Sequence, residues 1–214
     1  MPLVVGVDFD NTIIDYGDLF FRAAVAEGLC SDSAQVQQPG VVAKADVRQQ
    51  VRALTDGEEK WQLVQSIVYS QELVHARLFA GVAEFLRLCQ QHELVVYVIS
   101  HKTEVPVSPA VPAVNLRQAA LDWLERQGVL EPAIGFLIPR QHVFFHATRQ
   151  KKLASIRRQQ CDYFVDDLPE VLADPGFPAS TERILFSPHR EGAPPEMTTC
   201  ASWHEISRVI FPES

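Results

Sequence analysis

Apolar residues at the start of the chain form a short run that ends in acidic residues. Residues 3–7 are Leu and Val except for Gly6, and Asp8 and Asp10 follow on either side of Phe9. A run rich in β-branched residues is typical of a buried parallel strand. Ligands in open α/β sheets bind beyond the carboxyl ends of such strands, so the pattern indicates a candidate site. A turn capped by Asp and Asn would use the same residue types, and the later runs decide between the two.

Two later apolar runs also end in polar residues. Residues 94–99 form one such run and residues 163–165 form the other. The polar residues that follow are Ser100, His101, Asp166 and Asp167. Because the carboxyl ends of parallel strands meet at one edge of a sheet, we expect these groups to gather with the first acidic pair.

A pair of lysines precedes the third run. Lys151 and Lys152 open a segment of helical pattern in which Leu153 and Ile156 share a face. Lys152 lies one helical turn before Ile156 and is therefore turned toward that face. The pattern favours Lys152 as the lysine of the site, and it leaves Lys151 and Lys102 as alternatives.

Helical spacing of apolar residues covers most of the remaining chain. Helices are predicted over residues 18–27, 44–54, 58–78, 82–91, 117–127, 152–157, 168–172 and 202–211. Further strands are predicted over residues 142–146 and 183–186, and the proline-containing stretch 187–200 is predicted to be a loop. This alternation of strands and helices predicts an α/β fold with a Rossmann-like parallel sheet.

Composition excludes several classes of protein. The formal net charge is −8 and the pI is near 5.3, which argues against a nucleic-acid-binding protein. No apolar segment is long enough to span a bilayer, and the first apolar run lacks the basic flank of a signal peptide. The cysteines are scattered without a Cys-x-x-Cys pair, which predicts reduced thiols and a cytoplasmic protein.

The order of these motifs resembles the haloacid dehalogenase (HAD) superfamily. The segment Asp-Phe-Asp-Asn-Thr at residues 8–12, the serine after a strand, the lysine and the acidic pair follow that family's four motifs, spread over most of the chain. The resemblance implies that Asp8 is the nucleophile and Asp10 the general acid and base. It also implies that Ser100 binds the phosphoryl group and that Lys152 steadies the charges.

The same resemblance implies a Mg²⁺ cofactor and a set of substrate contacts. The predicted metal ligands are Asp8, Asp10, Asp166 and Asp167, and the predicted substrate-binding residues are Asn11, Thr12, Ser100 and His101. Mg²⁺ prefers oxygen ligands and keeps several waters, which suits carboxylates together with a substrate phosphate. A carboxylate can approach an anionic phosphate ester only where positive charges neutralise the field.

The segment between the first and second motifs is too long for an ordinary connection. In the family that the chain resembles, an insertion at this position is a helical cap that closes over the site and selects the substrate. We therefore predict a small helical cap over residues 16–79 and a hydrolase core over residues 1–15 and 80–214. The turn signal Pro39-Gly40 lies within this cap. The alternative is that these helices pack directly against the sheet.

The function predicted from the resemblance is a Mg²⁺-dependent phosphatase that acts on a small phosphorylated metabolite, such as a sugar phosphate or a nucleotide monophosphate. Dehalogenases of the family lack the second aspartate, which this chain retains as Asp10. One alternative is a non-catalytic or regulatory phosphate-binding module on the same fold. Another is a receiver-like signalling domain, although its acidic pair precedes the phosphate acceptor, whereas residues 166–167 come last here.

Overall fold

The computed structural model describes residues 2–31, 44–130, 138–188 and 197–212. The strands are β1 Val4–Val7, β2 Ile14–Asp15, β3 Arg77–Leu78, β4 Val95–His101, β5 Val143–His146, β6 Tyr163–Asp166, β7 Glu182–Phe186 and β8 Thr198–Cys200. The helices are α1 Leu19–Ala26, α2 Lys44–Arg52, α3 Gly57–Ser70, α4 Val82–Gln91, α5 Leu116–Arg126, α6 Arg149–Arg158, α7 Pro169–Leu172 and α8 Trp203–Ile210. Short 3₁₀ helices cover Glu72–His75 and Arg140–His142.

Six strands form one parallel sheet in the order β5-β4-β1-β6-β7-β8. Strand β1 lies between β4 and β6, and Val7 of β1 is opposite both Val98 and Val165. The three strands that carry polar residues at their carboxyl ends are therefore neighbours and end at one edge. The predicted α/β fold with a Rossmann-like parallel sheet is confirmed.

Close packing on both faces explains the composition of β1. Val5 and Val7 are fully buried. A Cβ atom on Gly6 would lie only 2.5 Å from Cδ2 of Phe164, so a glycine is needed where the neighbouring strand brings this ring across. The strand is consequently fixed in position up to the residue that precedes Asp8.

By its internal contacts the chain divides into two compact units. Unit 1 comprises residues 1–15, 78–102 and 124–214 and contains the six-stranded sheet. Unit 2 comprises residues 16–77 and 103–123 and is mainly helical. The sequence pattern assigns residues 103–123 to the core, whereas their contacts join them to unit 2. Two of these contacts are hydrogen bonds, from the N–H of Ser108 to Oγ of Ser66 and from Nε1 of Trp123 to the carbonyl of Ala76.

Unit 2 has an apolar core of its own. The rings of Phe20 and Trp61 stack with their centres 5.5 Å apart, and Tyr16 and Tyr69 meet Phe20 edge-on. Trp61 lies at helical spacing in α3, as the sequence pattern predicts. Helical segments of residues 16–79 thus pack around a shared aromatic cluster within this unit.

Two predicted elements differ from the structure. The helix predicted over residues 58–78 ends at Ser70, because apolar residues at helical spacing also occur in the following 3₁₀ turn, where Leu73 is buried. The loop predicted over residues 187–200 is wrong at its end, where Thr198–Cys200 form β8 beside β7. A strand of three residues is too short to show the alternation of apolar and polar residues that predicts a strand. The predicted turn at Pro39-Gly40 lies outside the described residues.

The helices in the described part of the chain are too short or too polar to cross a membrane. All four cysteines are free thiols, and Cys89, Cys161 and Cys200 are buried as packing residues. Burial raises the pKa of both Cys89 and Cys161 to about 12, so these thiols stay protonated. Neither of these two thiols is a candidate nucleophile.

Candidate active site

Asp8 lies at the carboxyl end of β1, a central strand of the sheet. Its backbone N–H donates to the carbonyl of Val165 at 2.9 Å, which continues the pairing of β1 with β6 beyond the strand. Asp8 is only 4% exposed, and its Oδ1 accepts a hydrogen bond from Nζ of Lys152 at 2.5 Å. The carboxylate predicted to be the nucleophile is therefore almost completely buried and is held in a fixed position.

Lys152 connects Asp8 to the acidic pair after β6. Its Nζ also donates to Oδ2 of Asp166 at 2.6 Å, and both side chains are buried. Helix α6 begins after Thr148, whose hydroxyl accepts from the N–H of Lys151. The first turn of this helix leaves Lys151 exposed and directs Lys152 inward. The structure thus brings Lys152, the lysine favoured by the helical pattern, to Asp8.

Burial and neighbouring charges set the protonation of this cluster. Burial raises the pKa of Asp8 to about 7; Lys152 opposes this shift and Asp166 adds to it. Burial would lower the pKa of Lys152, but the charges of Asp166 and Asp8 outweigh it and raise that pKa. Lys152 is therefore an ammonium group at neutral pH, while Asp8 changes its protonation near neutrality in the metal-free protein.

Two further carboxylates converge on Asp8. Oxygen atoms of Asp8, Asp166 and Asp167 lie within 4.8 Å of one another. Oδ1 of Asp166 accepts from the N–H of Leu168 at 3.0 Å, which fixes the orientation of that carboxylate. Mg²⁺ prefers such hard oxygen ligands. The donor set fits a magnesium ion, and these three aspartates are the residues that would hold it.

Asp10, the fourth predicted metal ligand, has a different partner. Its carboxylate does not belong to the group of three carboxylates found among the described residues. Nζ of Lys102 lies 3.1 Å from Oδ1 and 3.1 Å from Oδ2 of Asp10. The side chain of Lys102 is 2% exposed and that of Asp10 is 16% exposed. In this structure the carboxylate of Asp10 is thus bound to a lysine.

From the sequence pattern, Lys102 is only an alternative to Lys152 as the lysine of the site. The available signal is its position, since Lys102 follows directly on a strand that carries a predicted site residue, Ser100. Its partner Asp10 is 92 residues away along the chain. The local sequence pattern therefore places Lys102 at the edge of the sheet but does not show that its side chain contacts Asp10.

Asn11 and Thr12 form the turn after Asp10. Asn11 is half-buried and has a φ of 56°, in the left-handed region that Asn tolerates better than most residues. Thr12 is fully buried, and its carbonyl accepts from Nε1 of Trp203 at 3.1 Å. The Thr12 hydroxyl has no hydrogen-bond partner within the described ranges. Thr12 offers no surface to a substrate here, and substrate binding by either residue stays a prediction.

Ser100 and His101 end strand β4. Ser100 is 1% exposed and lies opposite Phe145 in the register of β4 and β5. His101 is exposed, and its Nε2 lies 3.0 Å from the carbonyl oxygen of Ala147. Both residues lie at the edge of the sheet where β1 ends, and their contacts with a substrate stay predictions.

The raised pKa of Asp8 predicts a pH-dependent stability of the metal-free protein. Between pH 3.8, its ordinary pKa, and about 7, Asp8 keeps its proton in the folded state and loses it in the unfolded state. Because the folded state then binds more protons, the free energy of unfolding should fall as pH rises through this window, by about 1.4 kcal/mol per unit from this group. Asp8→Asn cannot titrate and should lack this contribution.

Urea denaturation from pH 4 to 8, with a chelator present, measures the effect. We expect the stability of the wild-type protein relative to Asp8→Asn to fall by a few kcal/mol across the range. If the free energies of unfolding of the two proteins change with pH in parallel, burial does not raise the pKa of Asp8.

Solved structures of HAD-superfamily hydrolases share this fold. A haloacid dehalogenase-like hydrolase from Streptococcus pneumoniae is 12% identical, with a TM-score of 0.55 over 87% of this chain and 85% of its own. A HAD-superfamily hydrolase from Ehrlichia chaffeensis is 12% identical, with a TM-score of 0.56 over 98% of this chain and 96% of its own. The HAD-type hydrolase YfnB from Bacillus subtilis, solved bound to magnesium, is 13% identical, with a TM-score of 0.56 over 98% of this chain and 99% of its own.

These similarities define the fold of the chain. No protein-family model and no curated protein sequence matches it. The chain has the fold of the HAD-superfamily hydrolases, and the resemblance indicated by its motifs is confirmed at the level of the fold.

Proposed function

We propose that this protein is a Mg²⁺-dependent phosphatase that hydrolyses a small phosphorylated metabolite through an aspartyl-phosphate. The observation that carries the proposal is the buried cluster of Asp8, Lys152 and Asp166 at the end of the central strands. It combines a carboxylate that can attack with an ammonium group that holds it in place. Such an arrangement suits attack on an anionic phosphorus centre.

The first half of the reaction transfers the phosphoryl group to Asp8. A carboxylate oxygen of Asp8 forms a bond to phosphorus while the bond from phosphorus to the substrate oxygen breaks. Asp10 donates a proton to that departing oxygen, so the product leaves as a neutral alcohol. Lys152 keeps Asp8 and Asp166 in place during this step.

The second half restores the enzyme. Asp10, now a carboxylate, accepts a proton from a water molecule as the water oxygen bonds to phosphorus. The bond between phosphorus and the Asp8 oxygen breaks, and inorganic phosphate is released. Both aspartates return to their starting protonation states, so the cycle balances in protons.

Charge in the cluster supports the assignment of a divalent cation. When ionised, Asp8, Asp166 and Asp167 carry three negative charges against one positive charge on Lys152. Asp8, Asp166 and Asp167 would hold the ion. When bound, Mg²⁺ neutralises charge on these carboxylates and on the substrate phosphate.

The presence of Asp10 supports phosphoryl transfer over dehalogenation. A halide leaves without a proton, so a dehalogenase needs no acid at this position. An alkoxide is a much poorer leaving group and needs one. We therefore propose phosphate monoesters as the substrate class. We further propose that unit 2, which has its own aromatic core, is the cap that selects the substrate.

A substrate screen tests the proposal. Purified protein with Mg²⁺ is incubated with 4-nitrophenyl phosphate, sugar phosphates and nucleotide monophosphates, and released phosphate is measured. We expect turnover of the aryl phosphate and faster turnover of at least one metabolite, with Asp8→Asn inactive on both. Absence of phosphate release from every ester would contradict the proposal, and halide release from 2-haloacids would indicate a dehalogenase instead.

A further inference from the structure

The first residue of helix α8 contacts the loop that carries Asp10. We call residues 9–14 the Asp10 loop. Nε1 of Trp203 donates to the carbonyl of Thr12 in this loop at 3.1 Å, across 191 residues of sequence. Both Trp203 and Thr12 are buried. A side chain of α8 therefore holds the backbone of the candidate active site from inside the molecule.

Close packing fixes the indole of Trp203. Its ring centre lies 5.0 Å from that of Phe85 and 5.9 Å from that of Phe186. A Cβ atom on Gly81 would lie only 2.9 Å from the Cβ of Trp203, so the backbone at residue 81 closes a further side. The indole N–H is consequently a rigid donor at a fixed place.

The Asp10 loop is a compact turn. The carbonyl of Phe9 accepts from the N–H groups of Ile13 and Ile14, both at 3.1 Å. Asp10 also pairs with Ile14 as an isolated β-bridge. Because these hydrogen bonds join the two ends of the loop, a shift of residues 12–13 is passed on to the backbone of Asp10.

Two donors from outside the Asp10 loop hold it in the structure. One is the indole of Trp203, and the other is the N–H of Phe79, which donates to the carbonyl of Ile13 at 3.0 Å. Thr12 is fully buried, so water does not replace a donor that its carbonyl loses. Loss of the indole N–H therefore favours a displaced loop in which this carbonyl finds another partner.

We propose that Trp203 is a positioning residue, whose indole N–H holds the Asp10 loop where the carboxyl group of Asp10 reaches the leaving-group oxygen. This inference rests on the proposed phosphatase function. Asp8 has anchors of its own, since its N–H donates to the carbonyl of Val165 and its carboxylate accepts from Lys152. Loss of the indole N–H should thus weaken proton donation more than attack on phosphorus.

Two aryl phosphates separate positioning from a contribution to stability alone. Nitrophenolate is a good leaving group that departs with little protonation, whereas phenolate is a poorer one. The quantity to compare is kcat/KM for 4-nitrophenyl phosphate and for phenyl phosphate. It includes only the steps up to departure of the first product, so slow hydrolysis of the aspartyl-phosphate does not mask the difference. A smaller folded fraction would lower both values by the same factor.

Trp203→Phe removes the N–H donor and keeps an aromatic ring against Phe85 and Phe186. We expect kcat/KM for phenyl phosphate to fall by about 100-fold and that for 4-nitrophenyl phosphate by less than about 10-fold, because a small misplacement of an acid costs rate where the acid is needed. Ser207→Ala is the matched control on the same helix. It removes the hydrogen bond from Oγ of Ser207 to the carbonyl of Trp203 but keeps the indole, so both values should stay near the wild-type level.

A double-variant cycle tests whether Trp203 acts through Asp10. Asp10→Asn alone should lower kcat/KM more for phenyl phosphate than for 4-nitrophenyl phosphate. Adding Trp203→Phe to Asp10→Asn should then lower the two values by equal factors, because the acid that the loop positions is already absent.

Several results would overturn the inference. Equal losses on the two esters in Trp203→Phe, or an extra loss on phenyl phosphate that persists in the Asp10→Asn background, would mean that the contact only stabilises the fold. Should Trp203→Phe not fold, as judged by circular dichroism, benzothienylalanine at position 203 replaces it, since this isostere carries sulfur in place of the N–H. A wild-type protein that hydrolyses neither ester with Mg²⁺ would overturn the proposed function, and this is seen before any variant is compared.

Discussion

Asp8→Asn should lower phosphate release by on the order of 10⁴-fold or more while the protein stays folded. The amide has almost the same volume as the carboxyl group but no charged oxygen that can attack phosphorus. The fold should tolerate the change, because burial already raises the pKa of Asp8 to about 7 and a neutral side chain at this position is therefore not costly. Lys152 keeps Asp166 as its partner.

Phosphate release by freshly purified Asp8→Asn, checked by mass spectrometry for deamidation, gives the answer. Asp46→Asn removes an exposed carboxylate of α2 and serves as the matched control, with activity near the wild-type level. If folded Asp8→Asn hydrolyses the same ester at more than a few per cent of the wild-type rate, Asp8 is not the nucleophile.

Removal of divalent metal should abolish activity, and added Mg²⁺ should restore it. Oxygen atoms of Asp8, Asp166 and Asp167 lie within 4.8 Å of one another, and Lys152 forms ion pairs with Asp8 and Asp166. The remaining negative charge would repel a phosphate ester when no cation is bound. Exhaustive chelation followed by titration with Mg²⁺ measures this dependence.

Variants of the acidic pair sharpen the metal experiment. Asp167→Asn removes a proposed ligand and keeps the ion pairs of Lys152 with Asp8 and Asp166. The fold should therefore persist while the Mg²⁺ concentration needed for half-maximal activity rises by about 10-fold or more. Asp174→Asn, which changes an aspartate after α7 outside the carboxylate group, should leave that concentration unchanged. Full activity in protein shown to be metal-free by elemental analysis would rule the hypothesis out.

Local pattern is enough to predict the edge of the sheet and most of the buried cluster. Apolar runs that end in Asp8 and Asp166 indicate parallel strands, and the end of a strand is where such groups can meet. Helical periodicity separates Lys152 from Lys151, because residues next to each other on a helix point in different directions. These inferences need only the geometry of a strand and of a helix, which is the same in every protein.

Other features depend on contacts between distant segments. The partner of Lys102 is 92 residues away, and nothing in the residues near either side chain encodes that pairing. Residues 103–123 belong to unit 2 by their contacts, although the sequence pattern assigns them to the core. The edge strand β8 is too short to leave a periodic pattern, and it exists through its pairing with β7.

The chain by itself therefore determined which residue types stand at the ends of its strands and which lysine faces inward. Only the tertiary structure decided how deeply each group is buried and which charge lies beside it. The pKa of Asp8 illustrates the difference, since burial raises it and Lys152 opposes the shift. Burial and distance are properties of the packed molecule, because they arise when segments far apart in sequence exclude water from one another.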